Sequence, residues 1–302
     1  MAEKSPSSTA RRYALVTGAN KGIGYEICRL LASQQVVVVL TARNEKRGLV
    51  AADKLKASGL SDYIVFHQLD LKDPSSVASL AEFIRSQFGK LDILVNNAGV
   101  LGANIHPDVF DILYFSRVSD GVNLDEIMLQ PYDLAEECQQ INYYGARRVI
   151  EAHLPLLESS DCPTIVNVSS IAGLLKDIPG KTIRTTLNDI DNLTDQKVEE
   201  LLDEFLRDFK TGDFEPRGWP RNLAAYTMLK AALNTCTRLL AKKYPKLCIN
   251  SVCPGYCRTD ITHNTGPFSV EDGARNVVKF ALLPDGSGGP SGRFFRGEEM
   301  SF

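Results

Sequence analysis

The sequence lacks an excess of positive charge, a long apolar run and paired cysteines. Lys and Arg number 34 against 37 Asp and Glu, a net charge of −3. That leaves no basic field for nucleic acid or an anionic membrane surface. The longest aliphatic run, Val36 to Leu40, is far too short to cross a bilayer. Residues Met1 to Arg12 are polar and charged with no apolar stretch, so they read as a disordered tail and not as a secretory leader. The seven cysteines are odd in number and scattered. Cys253 and Cys257 stand four apart, but no second pair or histidine cluster completes a zinc site. His67, His106, His153 and His263 are equally dispersed. No metal is expected, and free thiols point to the reducing cytoplasm.

What is present is ordinary globular composition, 44% apolar and 24% charged over 302 residues, enough for one large α/β core. Tyr13 to Val16 is a short apolar strand, followed by Thr17-Gly18-Ala19-Asn20-Lys21-Gly22-Ile23-Gly24 and then by helical spacing from Tyr25 to Ala32. Strand, glycine turn and helix together form a dinucleotide-binding context. The helix start offers free N–H groups and a partial positive charge to phosphate. The spacing here is G-x-x-x-G-x-G, not the general G-x-G-x-x-G. A second strand, Val36 to Leu40, leads to Arg43, with no acid between Glu26 and Glu45. NAD-binding folds place an acid near this strand end for the ribose 2′-hydroxyl. Arg43, with Lys21 in the turn, therefore favours the 2′-phosphate of NADP(H), because cations recognise phosphate. A helix from Glu45 to Lys56, a strand from Ile64 to Leu69 ending at Asp70, a helix from Pro74 to Phe88 and a strand at Ile93 to Val95 continue the alternation. Such alternation specifies a doubly wound parallel sheet with helices on both faces. Ligands then collect at the strands' carboxyl ends, where Gly18, Arg43, Asp70 and Asn97 fall.

Further along, Tyr226 and Lys230 stand one helical turn apart. A phenol normally ionises near about pH 10, and a neighbouring ammonium favours the phenolate. The pair is thus a candidate acid–base group. A Tyr and a Lys on a solvated helix face is the plainer alternative, and the spacing alone does not choose between them.

The order of motifs does. The turn at Thr17–Gly24, Asp70, Asn96-Asn97-Ala98-Gly99, Asn142, Asn167-Val168-Ser169-Ser170-Ile171-Ala172-Gly173, Tyr226 with Lys230, and Cys253-Pro254-Gly255 before Arg258-Thr259 run in sequence. The chain resembles a short-chain dehydrogenase/reductase along nearly its whole length. The fold this implies is a single Rossmann-type domain over residues 13–302. The resemblance implies catalytic roles for Asn142, Ser170, Tyr226 and Lys230: Tyr226 as proton donor to a carbonyl, Ser170 as hydrogen-bond donor to the same oxygen, Lys230 lowering the Tyr226 pKa, and Asn142 holding a relay water. Ser170 is favoured over Ser169 because the family serine precedes a glycine by three, here Gly173. Ser170 and Tyr226 are also the implied substrate contacts. Cofactor contacts are implied at Gly18, Asn20, Lys21, Gly22, Ile23, Gly24, Arg43, Asp70, Leu71, Asn97, Ala98, Gly99, Pro254, Gly255 and Thr259, beside Tyr226 and Lys230.

Two insertions depart from compact members, at about 102–130 and 174–222. The second carries Thr194 as an N-cap and an apolar stripe through Val198, Leu201, Leu202, Phe205, Leu206 and Phe209. Dimeric relatives pack the helices bearing Asn142 and Tyr226 on a second subunit. The stripe is expected to cover that surface and make the protein a monomer. With these insertions the chain is similar to the plant monomeric branch of the family that includes salutaridine reductase and menthone:neomenthol reductases. The implied reaction is NADPH-dependent reduction of a ketone on a hydrophobic ring, most simply a monoterpenoid such as menthone, with an alkaloid ketone as the alternative. Reduction of a C=C bond and a non-catalytic NADP-binding regulator are further alternatives. Candidate pocket walls are Phe110, Leu113, Tyr114, Phe115, Trp219, Tyr256 and Ile261, with His106 or His263 at the mouth.

Overall fold

The computed structural model describes residues 11–106, 128–283 and 289–302. Strand β1 (Tyr13–Val16) enters the glycine turn and helix α1 (Gly22–Ser33), followed by β2 (Val37–Ala42), α2 (Glu45–Leu55), β3 (Ile64–Gln68), α3 (Pro74–Phe88) and β4 (Ile93–Asn96). Strand β2, Val-Val-Val-Leu-Thr-Ala, is buried at every position, as a strand covered by helices on both faces must be. Helix α3 begins with Asp73 as its cap and Pro74 in the first turn, and ends on Gly89 in the left-handed region. The short strands β5 (Asn104–Ile105) and β6 (Met128–Leu129) pair antiparallel apart from the main sheet. Then come α4 (Tyr132–Cys138), a π-helical stretch over Gln139–Gly145, α5 (Ala146–Glu158) and β7 (Thr164–Val168).

The second half holds α6 (Lys181–Asn188), α7 (Asp195–Thr211), α8 (Ala224–Lys243), β8 (Cys248–Val252), α9 (Val270–Ala281), β9 (Phe294–Arg296) and β10 (Glu298–Met300). The main sheet runs β10-β9-β8-β7-β4-β1-β2-β3, parallel except at β10. The strand order turns back between β1 and β4, which makes the crevice at their carboxyl ends the place where a ligand fits. One core cluster packs α3, α5, α7 and α8 on one face; the other packs α1, α2 and α9 on the opposite face.

The expected element bounds hold to within a few residues, as helix ends generally do. The largest shift is at α1, which begins at Gly22, so the last three residues of the glycine turn are already helical. Arg12, assigned by sequence to the tail, has its carbonyl bonded to the Val37 N–H at 3.0 Å and extends the sheet. Residues 1–10 lie outside the described residues, as does the stretch 107–127 within the first insertion.

The expected cap and amphipathic helix of residues 174–222 are present. Thr194 accepts from the Lys197 N–H at 3.2 Å and caps α7. Val198, Leu202 and Phe205 are fully buried, and α7 packs on α8 and α4. Arg147 on α5 holds it electrostatically, 2.7 Å from Glu199 and 3.5 Å from Asp195. Trp219, expected as a pocket wall, lies instead in this packing. Its ring meets Phe205 edge-on at 5.4 Å, and its indole N–H donates to Asp208 at 2.8 Å. An indole buried with its N–H satisfied belongs to a core.

Candidate active site

A cavity of about 730 Å³ opens along the carboxyl ends of the strands. Every residue expected to touch the cofactor lines it, as do Ser170, Tyr226 and Lys230. Asn142 stands one layer behind.

The glycine turn is built from its neighbours. Thr17 Oγ1 accepts the N–H groups of Asn97 (3.0 Å) and Ala98 (3.1 Å). Asn97 Nδ2 donates in return to the carbonyls of Thr17 (3.0 Å) and Gly18 (3.1 Å). Gly18 has φ +64°, and a Cβ there would lie 2.8 Å from that of Ala98; at Gly24 a Cβ would lie 2.4 Å from Asn97 Nδ2. Only glycine fits so close an approach. Asn97 nitrogen therefore shapes the turn. Lys21, the residue preceding α1, gives no side-chain cap, and the first turn holds no acid. Gly22, Ile23 and Gly24 of that turn line the cavity, and an uncapped helix start is a place where backbone N–H groups can receive an anion.

The wall that carries the expected catalytic residues is set by β7 and α8. Lys230 is buried, and its Nζ donates to the Val168 carbonyl at 2.8 Å. It lies 5.6 Å from the centre of the Tyr226 ring. Among the described residues no carboxylate forms an ion pair with it, and burial pulls its pKa down from 10.5 to about 8. Ser170 Oγ accepts from the Ala172 N–H at 3.2 Å, which leaves its own O–H to donate elsewhere. Ser169 is buried, its Oγ without a partner among the described residues. The glycine three residues past Ser170 has a geometric cause. A Cβ on Gly173 would lie 2.5 Å from the Lys230 carbonyl carbon, so the turn after Ser170 presses on the α8 backbone. Asn234 Nδ2 ties that contact by donating to the Gly173 carbonyl at 3.1 Å.

Asn142 occupies the π-helical stretch, a device common at functional sites. Its carboxamide accepts from the Val100 N–H at 2.9 Å and donates to the Val100 carbonyl at 2.8 Å. The side chain expected to hold a relay water is thus engaged mainly by the backbone after β4. It still converges with Lys230: a Cβ on Gly99 would lie 3.3 Å from Asn142 Oδ1 and 3.7 Å from Lys230 Nζ.

At the far end, the two expected phosphate-reading cations both have acidic partners. Lys21 pairs with Asp260, and Arg43 lies 3.6 Å from Glu137, which also meets Lys72 at 3.3 Å. Arg47 in the first turn of α2 also lines the cavity. Thr259 bonds Thr262 through both its N–H and its hydroxyl and faces Gly22 across the cleft. Sequence reasoning missed Thr17, Arg47, Glu137, Asp260 and the Val168 carbonyl. Only Thr17 and Arg47 carried a local signal, as a hydroxyl inside the turn and as a second cation after β2.

Of the pocket walls, Tyr256 and Ile261 line the cavity beside Leu101 and Leu223. Phe110, Leu113, Tyr114 and Phe115 lie outside the described residues. Neither His106 nor His263 is in the wall. His153 is fully buried against the Val149 carbonyl at 2.7 Å, and burial holds its pKa down at about 4. Among the described residues no group of three or more side chains is placed to hold a metal, and no helix is long and apolar enough to cross a membrane.

Residues 12–182 match the short chain dehydrogenase family. The chain belongs to that family. It is similar to short-chain dehydrogenase/reductase 1 of Saponaria officinalis, 53% identical over 100% of this chain and 99% of the relative. To the (+)-neomenthol dehydrogenase of Arabidopsis thaliana it is 48% identical over the same shares. The structure of salutaridine reductase from Papaver somniferum superposes with a TM-score of 0.87 at 46% identity, covering 94% of this chain and 99% of that one. As a short-chain dehydrogenase, the protein is an oxidoreductase acting on the CH–OH/C=O couple with a nicotinamide cofactor.

The buried ammonium has a measurable consequence. A shift from 10.5 to about 8 corresponds to on the order of 3 kcal/mol of unfavourable burial. Between those pH values the folded protein has released a proton that the unfolded chain keeps, so wild-type stability rises with pH there; below pH 8 the full penalty applies. In Lys230→Met the penalty is absent. The denaturant midpoint of the variant minus that of wild type is expected to fall between pH 7 and pH 10. A difference independent of pH would show that Lys230 is not the group titrating.

Proposed function

We propose that the protein is an NADPH-dependent carbonyl reductase, equally an alcohol dehydrogenase in reverse, acting on a hydrophobic cyclic ketone. The observation that carries this reading is the joining of Tyr226, Lys230 and Ser170 on one wall of a cavity whose other end holds Lys21, Arg43 and Arg47. The glycine turn, its uncapped helix start and the close approach at Gly18 suit a pyrophosphate. The three cations, with no acid at the end of β2, suit the 2′-phosphate of NADP(H). When bound, the cofactor supplies hydride to the carbonyl carbon. The side chains supply the rest. Tyr226 gives its proton to the carbonyl oxygen, work typically worth roughly 10²–10⁴-fold. Ser170 donates to the same oxygen as charge grows on it. Lys230, held by Val168, keeps a positive charge beside the phenol.

The walls Leu101, Leu223, Tyr256 and Ile261 are apolar and weakly directional. They fit a monoterpenoid ketone such as menthone, in keeping with the neomenthol dehydrogenase likeness, with a salutaridine-like alkaloid ketone as the alternative. Such a pocket separates near isosteres poorly. The seven cysteines all carry free thiols, which supports a cytoplasmic setting. Because α7 covers α8 and α4, the surface that dimeric relatives share is occupied, and we read the protein as a monomer.

Tyr226→Phe is expected to lower menthone turnover at least a hundredfold while NADPH affinity stays nearly unchanged; full-rate reduction would remove the mechanism. Arg43→Asp is expected to move the coenzyme ratio toward NADH, whereas an unaltered ratio would assign selection to other residues. In sedimentation at micromolar concentration a single monomeric species is expected, and a stable dimer or tetramer would overturn that reading.

A further inference from the structure

Helix α8 begins without a cap of its own. The preceding residue, Leu223, sits in the left-handed region at φ +47° and ψ +46° and offers no side-chain acceptor. For a leucine this backbone is strained, and such strain persists only where the surroundings enforce it. The enforcing group comes from far away in sequence. Gln130 Oε1 accepts the Ala224 N–H at 2.7 Å, and Gln130 Nε2 donates to the Arg221 carbonyl at 2.9 Å. One carboxamide thus grips the chain on both sides of the bend. It satisfies a first-turn N–H that is otherwise an orphan.

The grip has a second support. Gln130 directly follows β6, whose Met128 packs with Ile105 and Tyr256, and Leu223 packs against the same cluster. Leu223 and Tyr256 also line the cavity. Tyr226 is the third residue of α8, so it lies in the turn that Gln130 holds. Lys230 lies a turn further on, where Val168 and Gly173 fix the helix independently. A loosened first turn would therefore displace the phenol while leaving the ammonium in place.

We propose that Gln130 is a positioning residue for the reaction, setting the place of the Tyr226 phenol relative to Ser170 and Lys230. This rests on Tyr226 being the proton donor. Misplacement of a reacting group by about 1 Å can cost roughly 10²-fold in rate. Gln130→Leu removes both hydrogen bonds. Gln130→Asn keeps an amide too short to span from Ala224 to Arg221. Gln130→Glu keeps the acceptor for Ala224, with negative charge at a helix start where it is favoured, but it loses the donor to Arg221 and sets a carboxylate oxygen against that carbonyl.

The test is single-turnover reduction of menthone by NADPH, with NADPH affinity and thermal midpoint measured on each variant and Tyr226→Phe as control. The expected result is at least about a tenfold slower hydride step in Gln130→Leu and Gln130→Asn, with NADPH affinity within about twofold of wild type and a rate between those of wild type and Gln130→Leu in Gln130→Glu, which keeps one of the two bonds. The asparagine variant keeps the test open should the leucine variant fail to fold. Wild-type rates in the leucine and asparagine variants beside an inactive Tyr226→Phe would overturn the positioning role while sparing the carbonyl-reductase reading. A loss of rate that tracks loss of NADPH binding would overturn it too, by showing general damage. An active Tyr226→Phe would instead bring down the reading on which the proposal rests.

Discussion

A lysine ammonium held in the interior, among the described residues, by one backbone carbonyl constrains everything packed near it. A buried charge without a carboxylate partner is costly, and the Lys230 pKa near 8 records that cost. It is tolerable only if the carbonyl of Val168 stays in place, so β7 and α8 have to keep one register. The surroundings supply that rigidity with directional contacts. Asn96 donates to Asn167 at 2.9 Å, Asn167 to Thr237 at 2.9 Å, and Thr237 meets Ser251 at 2.9 Å. This chain of buried hydrogen bonds runs from β4 through β7 to α8 and β8. A helix pinned only by apolar side chains could repack; one pinned by directional hydrogen bonds loses them when it slides.

The same demand explains the character of the second insertion. The outer side of α8 and the π-helical stretch need a cover that does not shift. Helix α7 brings a largely buried stripe for adhesion and polar contacts for register: Glu199 and Asp195 to Arg147, and Gln139 to Asp203 at 3.3 Å. Surface ion pairs add little stability singly. Around one arginine whose side chain is only 14% exposed, their use is to fix where the stripe sits. Trp219 and Asp208 then close the far end.

The sequence made the sheet, the glycine turn and the Tyr226–Lys230 pair legible because each is a local pattern: period, punctuation or helical spacing. The cap at Thr194 and the stripe on α7 were readable for the same reason. Three kinds of feature were not. Contacts made by backbone atoms, such as Val168 to Lys230, leave no mark in residue identity. Side chains that act on distant backbone, such as Asn142 on Val100 and Gln130 on Ala224, have no periodicity to betray them. Trp219 failed for another reason: an aromatic just before α8 fits a pocket wall as well as a core, and only the partner for its N–H decides. Gly173 shows the reverse case, in which the glycine of a spacing rule has a physical cause that the fold made visible, its close approach to α8.

The end of the cavity lined by Lys21 and Arg43 obeys a different balance. Arg43 and Lys21 are both more than half exposed, and their partners Glu137 and Asp260 come from α4 and the loop after Gly255, on other sides of the cleft. Each cation thus already has a carboxylate, in a setting where water screens the pair and its net worth is small. On the proposed reading, a 2′-phosphate competes with those carboxylates and does not meet bare charge. The gain on binding is the difference between a bidentate phosphate contact and a screened ion pair. That difference is modest, which suits a cofactor that must leave after every turnover. It also means that the acids across the cleft, and not the cations alone, set how tightly the coenzyme is held.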